Sequence, residues 1–546
     1  MKKIIFVISL NLFLISSIYS QFTMQWADLY SGAYGKSLAV DGSGNVYVTG
    51  WGWGIGYNTV KYNSSGVQQW LSRYRGIENG NDFAFSIAVD HSGFVYVTGW
   101  SQGGGNATDM VTIKYTTSGD SVWVNRYRGP GVSSASPGFE PYLHLIAVDD
   151  SGNVYVAGTS YGGSATYYDY ATLKYNSSGV QQWVQRYDNP SANALDYATS
   201  ISLDASGNVF VSGFSDANSA MTIEDFCTIK YSSTGVQQWV ARYDNGGHNR
   251  VNGMITDNGG NVYVTGWGGS AIQNGPGGFL TVKYNSSGVQ QWFANYVGSA
   301  YDEASSIAVD AGSNVFVTGG LVTGSTASDY LTIKYNTSGV QQWTQIYNAT
   351  ANGYDKANAI TVDKDGSIYV TGTSNNGGSV FDYATVKYSN SGVQQWAARY
   401  NETGTANGSP LAISVDSTYN FYVTGSSGAK YMTLKYSQPV GIKPISSLVP
   451  DKFNLYQNYP NPFNPSTKIK FSVTASPLYE RGGKGGFVML KIYDLLGREV
   501  AALVNELLQP GSYEVQWNGT DFASGIYFYK LMVGDFIAVK KMVLLK

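Results

Sequence analysis

The sequence predicts an all-β fold, an eight-bladed β-propeller of four-stranded blades. Three motifs carry this prediction, and each occurs eight times along the 546 residues. The first is an eleven-residue theme of the AVDGSGNVYVT type, as at 39–49, the second is a T-[VIL]-K-Y tetrad, and the third is a GVQQW-like strand with Tyr four residues after the Trp. A period of roughly 50 residues built from four short β-like runs is typical of a propeller array.

Each repeat contains two predicted hairpins. Residues 87–89 and 95–97 are β-branched or aromatic runs of strand length, and the turn-forming residues 90–93 separate them. Residues 59–62 and 68–74 form a second pair of runs, joined by an Asn-Ser-Ser-Gly turn. Two hairpins in each repeat give four strands in each blade.

An aspartate begins the turn of the first hairpin in every repeat. Such a residue typically closes an Asx-turn, and we favour this interpretation over calcium ligation. The run Asp363, Lys364, Asp365, Gly366 is the most similar to a calcium loop, but it lacks the distal Glu. The aspartates concerned are Asp41, Asp90, Asp149, Asp204, Asp257, Asp310, Asp363 and Asp416.

The two ends of the array predict how the ring closes. Seven complete units run from 37 to 400, whereas the eighth, 412–436, stops after its third strand. The missing Trp strand is found at the other end of the chain, where Trp26 is followed by Tyr30. We therefore expect 23–30 to complete the last blade, because an open ring would leave two unpaired edges.

Composition and charge restrict the partners. The net charge of −3 provides no basic stripe for phosphates, which argues against a nucleic-acid partner. Cys227 is the only cysteine, so an intrachain disulfide is excluded and packing alone must hold the fold. The sequence gives no reason to expect a cofactor.

The N-terminus has the form of a signal peptide, which we assign to residues 1–20. Lys2 and Lys3 precede an apolar run at 4–15, and small or polar residues follow at 16–20. A membrane anchor is the competing interpretation, but the apolar run is too short for one and no later segment reaches spanning length. We therefore expect export and no transmembrane segment.

A Pro/Ser-containing linker, 437–451, leads to a different domain at 452–546. Its motifs, FNLYQNYPNPFNPST at 453–467, LKIYDLLGREV at 490–500 and SGIYFYK at 524–530, resemble the C-terminal sorting domain of the bacterial type IX secretion system. The resemblance implies a small Ig-like β-sandwich that engages the secretion machinery, directs passage through the periplasm and across the outer membrane, and is usually removed at the cell surface. Residues 476–486 are an apparent insertion that we expect to lengthen a hairpin.

The repeats of residues 21–436 resemble the SBBP family of β-propeller repeats, whose AVD…GNVYVTG hairpin they contain. The resemblance implies architecture and little about function, since propellers host enzymes, lectins and scaffolds.

The candidate ligand site lies on one face of the predicted ring. Both hairpin turns are nearly identical in every repeat, whereas the other connections vary and emerge together on the opposite face. That variable face carries Trp51, Trp53, Trp100 and Trp267, which suit stacking against sugar rings. The alternative is that they cap the core. The Trp residues of the repeated strands are expected to be core or interblade residues: Trp70, Trp123, Trp183, Trp239, Trp292, Trp343 and Trp396.

Repeated charged residues are expected to be structural. The lysine of each T-x-K-Y tetrad should meet one of the repeated carboxylates, because an unpaired charge between packed sheets would be costly. We expect the same structural role for Asp82, Asp196, Asp302 and Asp355 before the first strand, and for Asp109, Asp169, Asp225, Asp329 and Asp382 before the third.

The case for an enzyme is weak. Of the three histidines, His91 belongs to the uniform face and His248 to the variable one, so no three-histidine metal site is expected, and we name neither metal ligands nor catalytic residues. Non-enzymatic binding or adhesion, to a glycan or protein, is our first choice. The alternatives are a glycan-cleaving enzyme and a purely structural surface spacer. Cleavage would draw on glutamates outside the repeat pattern: Glu78, Glu140, Glu224, Glu303 and Glu402.

Overall fold

The protein is described here by a computed structural model. It describes residues 22–76, 81–102, 108–130, 145–163, 167–190, 195–216, 223–269, 277–298, 302–322, 328–349, 353–375, 380–401, 407–437, 443–446, 449–474, 486–508, 510–519 and 522–545. Contacts divide the chain into two compact units, of which one is Met24–Tyr436 and the other contains Ser437–Lys546. The proposed signal peptide, 1–20, and nearly all of the apparent insertion at 476–486 lie outside the described residues.

The first unit consists, in its described part, of eight four-stranded sheets, which are the predicted blades. Blade 8 combines three C-terminal strands of the array with the N-terminal strand β1. In chain order the strands are β1 (Thr23–Ser31); blade 1, β2 (Tyr34–Val40), β3 (Val46–Gly52), β4 (Gly56–Tyr62), β5 (Gln68–Tyr74); blade 2, β6 (Asp82–Val89), β7 (Val95–Gln102), β8 (Thr108–Tyr115), β9 (Ser121–Tyr127); blade 3, β10 (Leu145–Val148), β11 (Val154–Gly163), β12 (Tyr167–Tyr175), β13 (Gln181–Tyr187); blade 4, β14 (Asp196–Leu203), β15 (Val209–Asp216), β16 (Glu224–Tyr231), β17 (Gln237–Tyr243); blade 5, β18 (Asn249–Thr256), β19 (Val262–Gly268), β20 (Gly278–Tyr284), β21 (Gln290–Tyr296); blade 6, β22 (Glu303–Val309), β23 (Val315–Val322), β24 (Ser328–Tyr335), β25 (Gln341–Tyr347); blade 7, β26 (Asp355–Val362), β27 (Ile368–Asn375), β28 (Phe381–Tyr388), β29 (Gln394–Tyr400); blade 8, β30 (Gly408–Val415), β31 (Phe421–Ser427), β32 (Lys430–Ser437).

The core of the propeller lies between neighbouring blades. The first strands of adjacent blades contact one another, as β2 contacts β6 and β14 contacts β18, so these strands form the inner layer. Tyr47 and Tyr57 of blade 1 pack against Ile87 and Val97 of blade 2, and equivalent apolar clusters recur from blade to blade. Burial of large aromatic and β-branched side chains between sheets is the main stabilising contribution of such an array.

The threonines of the repeats are satisfied inside each blade. Thr98 of the VYVTG strand lies opposite Thr112 of the TIKY strand, their hydroxyl oxygens are 3.3 Å apart, and Thr98 also donates to the carbonyl of Val111 at 3.2 Å. Both threonines are buried. The repetition of Thr at these two positions therefore reflects the need to pair buried hydroxyl groups.

The strand Trp residues join one blade to the next. In blade 1, the Trp70 indole donates to the carbonyl of Thr117 at 3.0 Å. Its ring lies so close to Gly119 that an added Cβ would be 2.6 Å from the ring, and Gly119 has φ +90°. A side chain at Gly119 would therefore meet both a steric and a conformational penalty. The predicted interblade role of these tryptophans is confirmed.

The tetrad lysines have different partners from those expected. Lys61 lies 5.2 Å from the centre of the Tyr47 ring and donates to the carbonyl of Thr117 at 3.3 Å. Two of the lysines also approach a turn carboxylate, Lys230 with Asp204 at 3.8 Å and Lys387 with Asp363 at 4.0 Å. The lysines therefore mainly contact a carbonyl of the next blade and the face of an aromatic ring, both of which stabilise an ammonium group. The expected pairing with carboxylates is secondary.

The N-terminal strand completes blade 8, as the split repeat predicts. Strand β1 pairs with β32, and the Trp26 indole donates to the carbonyl of Ser64 in blade 1 at 3.3 Å. Blade 8 itself contacts blade 1, since the Tyr431 hydroxyl donates to the carbonyl of Asn58 at 3.0 Å. The clasp is confirmed.

The repeated turn aspartates close Asx-turns. Asp41 Oδ1 accepts from the backbone N–H groups of Ser43 and Asn45, each at 2.9 Å, and its Oδ2 accepts from the Tyr47 hydroxyl at 2.9 Å. In the loop most similar to a calcium site, Asp363 makes the equivalent bonds to the N–H groups of 365 and 367 and to the hydroxyl of Tyr369. The Asx-turn interpretation is confirmed.

The second unit contains two four-stranded sheets within its described residues. Their orders are β33-β38-β35-β34 and β37-β36-β39-β40, and one apolar cluster that includes Ile469, Leu490 and Trp517 draws on both sheets. In the part of the chain that the structure describes, no helix has the length and apolarity needed to cross a membrane. The strands are β33 (Lys443–Ser446), β34 (Asn454–Leu455), β35 (Ser466–Val473), β36 (Gly486–Tyr493), β37 (Glu499–Leu508), β38 (Gly511–Asn518), β39 (Gly525–Val533) and β40 (Phe536–Leu544).

Candidate functional site

The two faces of the propeller differ in the connections that they present. The turns between first and second strands and between third and fourth strands lie on one face. The strand ends that the remaining connections join lie on the other, which we call the variable face. Of the variable connections, residues 53–55 in blade 1 are fully described. They link β3 to β4 and place Trp53 at the edge of the blade.

Three of the four candidate tryptophans occupy the same position in different blades. Trp51, Trp100 and Trp267 follow the VYVTG motif near the ends of β3, β7 and β19. The register pairs Trp51 with Tyr34 on the first strand and Trp100 with Phe83. These cross-strand neighbours decide which tryptophans come together.

Five side chains of blades 1 and 2 form what we call the aromatic cluster: Tyr34, Trp51, Trp53, Phe83 and Trp100. Phe83 is central, because its ring centre lies 4.3 Å from that of Trp51, 4.6 Å from Trp100 and 5.7 Å from Trp53. Trp51 also contacts Tyr34 at 4.9 Å and Trp53 at 5.3 Å. The cluster is therefore continuous across the boundary between the two blades.

Exposure separates the members of the cluster. Trp53 is 64% exposed, Trp51 is half-buried and Trp100 is only 8% exposed. The indole N–H groups of Trp51 and Trp100 are buried and have no acceptor among the described residues, although a buried indole usually finds one. Trp100 has the environment of a core cap, whereas Trp53 presents an aromatic surface to solvent from a packed support.

Trp267 lies apart from the aromatic cluster. It belongs to blade 5, where it is half-buried and pairs with Phe279 across the sheet. A Cβ at Gly277 would come within 1.9 Å of the Trp267 indole nitrogen, so the ring covers that glycine. The structure thus brings together three of the four candidates and leaves the fourth in another blade.

Phe83 is a member of the site that sequence reasoning missed. The available signal was the hairpin register, since Phe83 on β6 lies directly opposite Trp100 on β7. Aligning each first strand with its VYVTG partner would have placed Tyr34 beside Trp51 in the same way. Cross-strand aromatic pairs contribute to stability, so such pairs can be sought from register alone.

The repeated carboxylates near this face bind protein groups, as expected. Asp109 accepts from Nε of Arg126 at 3.1 Å, and Asp82 accepts from the backbone N–H of Gly76 at 2.9 Å. Both aspartates are buried. Charge-assisted hydrogen bonds of this kind hold the blade ends and confirm a structural role for these two residues.

The described non-repeat glutamates are engaged in ion pairs. Glu224 lies against Arg250, and Glu303 accepts from Lys356 at 3.1 Å and from Asn252 at 2.8 Å. Glu78, Glu140, Glu402 and His144 lie outside the described residues. His91 pairs with Asp150 at 3.1 Å on an exposed surface, and His248 lies 3.9 Å from Glu224.

The single cysteine lies inside the propeller. Cys227 of β16 is fully buried, and its carbonyl accepts from the Tyr170 hydroxyl at 3.2 Å. Burial raises the pKa of the thiol to about 12, so the sulfur stays protonated near neutral pH. Its environment is that of a small apolar side chain in the core.

A shallow cavity opens on the face of the uniform turns. It has a volume of about 380 Å³, and its walls are the first-hairpin turns of blades 6 and 7 together with Asn390. Asp310 and Asp363 line it, but their Oδ1 atoms accept backbone hydrogen bonds within their own turns. The sequence did not predict a cavity on this face.

Comparison with known families identifies both parts of the chain. Residues 457–545 match the secretion system C-terminal sorting domain, and residues 25–57, 72–106 and 342–378 match the SBBP β-propeller repeat. Both resemblances drawn from the motifs are thereby confirmed. The chain is a propeller protein that the type IX system exports to the cell surface or the medium.

Solved structures similar to the chain include three of low identity. PorZ, a surface component of the type IX secretion system of Porphyromonas gingivalis, is 12% identical with a TM-score of 0.27, covering 94% of this chain and 81% of its own. Puromycin hydrolase is 11% identical with a TM-score of 0.41, covering 72% and 58%. The propeller domain of the Trilobed protease from Pyrococcus furiosus is 8% identical with a TM-score of 0.39, covering 65% and 95%. These values are too low to transfer a ligand or an activity. The comparison with curated proteins found no match.

Proposed function

We propose that the propeller is a non-enzymatic binding module of the cell surface, and that its variable face binds a glycan through the aromatic cluster. The observation that carries the proposal is Trp53, which is 64% exposed while its edges are supported by Trp51 and Phe83. In the described part of the chain it is the one tryptophan that is mostly exposed.

The ring of Trp53 is held more firmly than an isolated surface aromatic would be, which suits it to stacking against a sugar ring. Trp51 and Phe83 both meet the Trp53 ring nearly at right angles, at 87° and 89°. Such T-shaped contacts hold a ring in place. A rigid aromatic surface loses little conformational entropy on binding, which favours the stacking of apolar sugar faces.

The surroundings of Trp53 are almost uncharged. Gly52, Gly54 and Ile55 flank it, and the nearby Arg75 is engaged by the carbonyl of Gly54. A nearly uncharged surrounding with an aromatic centre favours a neutral polysaccharide over a strongly anionic ligand. A protein ligand is the main competitor of this proposal, followed by cleavage of the glycan and by a purely spacing role.

The test is a glycan and matrix-protein binding screen on the full-length protein, followed by affinity measurements on the best ligand. Trp53→Ala should weaken glycan binding about fivefold or more, because loss of one aromatic contact is worth about 1 kcal/mol or more. Phe293→Ala is the matched control, since Phe293 is 55% exposed on the outer strand of blade 5 and lies outside the cluster.

Three results would contradict the proposal. Equal affinities of the Trp53 and Phe293 variants would place the ligand elsewhere. Tight binding to proteins, with no binding to glycans, would show that the ligand is a protein. Release of shortened glycan during incubation would show an enzyme.

A further inference from the structure

Three carboxylates meet between blades 3 and 4 on the variable face. Asp169 lies near the start of β12, Asp188 follows the end of β13, and Asp196 begins β14. One carboxylate oxygen of each lies within 4.8 Å of the others. Asp169 is 3% exposed, Asp196 is 0% exposed and Asp188 is half-buried, so water screens their mutual repulsion poorly.

One cationic side chain accompanies the group among the described contacts. Arg186 donates to Asp169 Oδ2, and it also donates to Ser160 Oγ at 2.8 Å, to the carbonyl of Ser160 at 3.0 Å and to the Tyr127 hydroxyl at 3.3 Å. Arg186 also attracts the Asp188 carboxylate, but neither Asp188 nor Asp196 has an ion pair of its own among the described residues.

Two buried oxygen atoms of the group lack a hydrogen-bond partner among the described residues. Among the described residues, Oδ1 of Asp188 and Oδ1 of Asp196 are buried and have no hydrogen-bond partner within normal geometry, although the Ser215 side chain interacts with the Asp196 carboxyl group. Asp196 accepts on its other oxygen, Oδ2, from the backbone N–H of Asn189 at 2.8 Å. Buried carboxylate oxygens are normally paired, so this arrangement indicates a missing positive partner.

Two other blades carry a hydrogen-bond donor at the position of Asp188. In blade 2 the residue after the strand Tyr is Arg128, whose Nε donates to Asp109 Oδ1 at 2.7 Å. In blade 7 it is Asn401, whose amide donates to Asp382 Oδ1 at 2.8 Å. Blade 3 has Asp188 at this position. The third-strand aspartate of blade 3 therefore faces another hydrogen-bond acceptor, whereas in blades 2 and 7 it receives a hydrogen bond from a donor.

We propose that Asp169, Asp188 and Asp196 bind a calcium ion that takes the place of the missing donor. All three ligands are carboxylates, and hard cations prefer oxygen donors. Calcium binds oxygen at about 2.3–2.6 Å, so two of its oxygen ligands lie at most about 5 Å apart. The three carboxylates meet this condition, since one oxygen of each lies within 4.8 Å of the others. The Arg186 ion pair holds Asp169 in position, and the ion links two blades.

A proton is the competitor for the same site. Burial raises the pKa of Asp196 to about 7, and burial also raises the pKa of Asp188. Calcium must displace the proton, so its affinity should increase as the pH rises from 6 to about 8.

The experiment uses the full-length protein, stripped with a chelator and titrated with CaCl₂ by calorimetry and by thermal unfolding. We expect one calcium per chain, with a dissociation constant on the order of 10⁻⁴–10⁻³ M, as in extracellular modules, and a rise in melting temperature. Asp188→Asn should weaken binding about tenfold or more, because it removes one ligand charge.

Two further variants make the test specific. Asp188→Arg copies Arg128 of blade 2, and it should abolish calcium binding while matching or exceeding the melting temperature of the calcium-free wild type. Asp244→Asn is the matched control, because Asp244 follows the last strand of blade 4 as Asp188 follows that of blade 3, and Asn249 of blade 5 stands where the first-strand acid would be. It should bind calcium as the wild type does.

The proposal is overturned if the wild type shows neither binding heat nor a calcium-dependent melting temperature. It is also overturned if Asp188→Asn binds with unchanged affinity, or if Asp244→Asn loses binding to the same extent. Failure here leaves the glycan proposal intact, because the aromatic cluster lies in blades 1 and 2.

Discussion

Replacing Trp26 by Ala should destabilise the propeller as much as the same change within a continuous blade. The Trp26 ring lies against Gly66, where an added Cβ would be 2.5 Å from it, and against Tyr62 at 5.6 Å between ring centres. Its indole also donates to the carbonyl of Ser64 at 3.3 Å. The side chain is half-buried, so we expect about half of the roughly 3–5 kcal/mol lost when a core Trp becomes Ala, or about 2 kcal/mol.

The assay is urea unfolding of the full-length chain followed by circular dichroism, with Trp183→Ala as the control. Trp183 makes the same contacts from blade 3, donating to the carbonyl of Ser233 at 3.2 Å and covering Gly235. If Trp183→Ala lowered the unfolding midpoint and Trp26→Ala did not, the N-terminal strand would not be part of blade 8. That result would refute the clasp and the argument from the split repeat.

Three other predictions follow from the same contacts. Gly119→Ala should lower the melting temperature, because the new Cβ would meet the Trp70 ring at a residue with φ +90°. Gly42→Ala is the control, and it should change the melting temperature little, because Gly42 has open space around it. Removal of residues 452–546 should leave a folded propeller in the periplasm, and its appearance at the cell surface would contradict the sorting role. In the presence of a chelator, the free energy of unfolding should fall as the pH rises from about 4 to about 7. Asp196 keeps its proton in the folded state up to a pKa of about 7, whereas the unfolded chain loses it near 3.8. Asp196→Asn should flatten this dependence on pH, and an unchanged slope would be the contrary result.

Local patterns in the sequence were sufficient for the architecture. The blade count and the two hairpins depend on short motifs that fold within one repeat, such as the turn begun by Asp41. The position of Trp26 before the first complete repeat was enough to assign its strand to blade 8. The hairpins depend on hydrogen bonds between residues close in sequence. The pairing of β1 with β32 joins distant residues, but the repeat pattern assigns each of these strands its position in a blade.

Contacts between blades were harder to predict. The expectation that tetrad lysines meet carboxylates failed as a general rule, because the carbonyl of Thr117 that Lys61 reaches belongs to the next blade. The register of its own repeat places Phe83 opposite Trp100, but its contact with Trp53 was missed because Trp53 belongs to the neighbouring blade. The group around Asp188 was also missed, since a single departure from the repeat matters only where the neighbouring blade brings a further carboxylate.

Oxidation mapping of the tryptophans with and without glycan would test the central claim most directly. At limiting N-bromosuccinimide, Trp53 should be oxidised first, because it is 64% exposed while the other tryptophans are half-buried or buried. A bound glycan should protect Trp53 and leave the order of the others unchanged, as read by mass spectrometry of peptides. Undiminished oxidation of Trp53 at saturating glycan would contradict binding at the aromatic cluster.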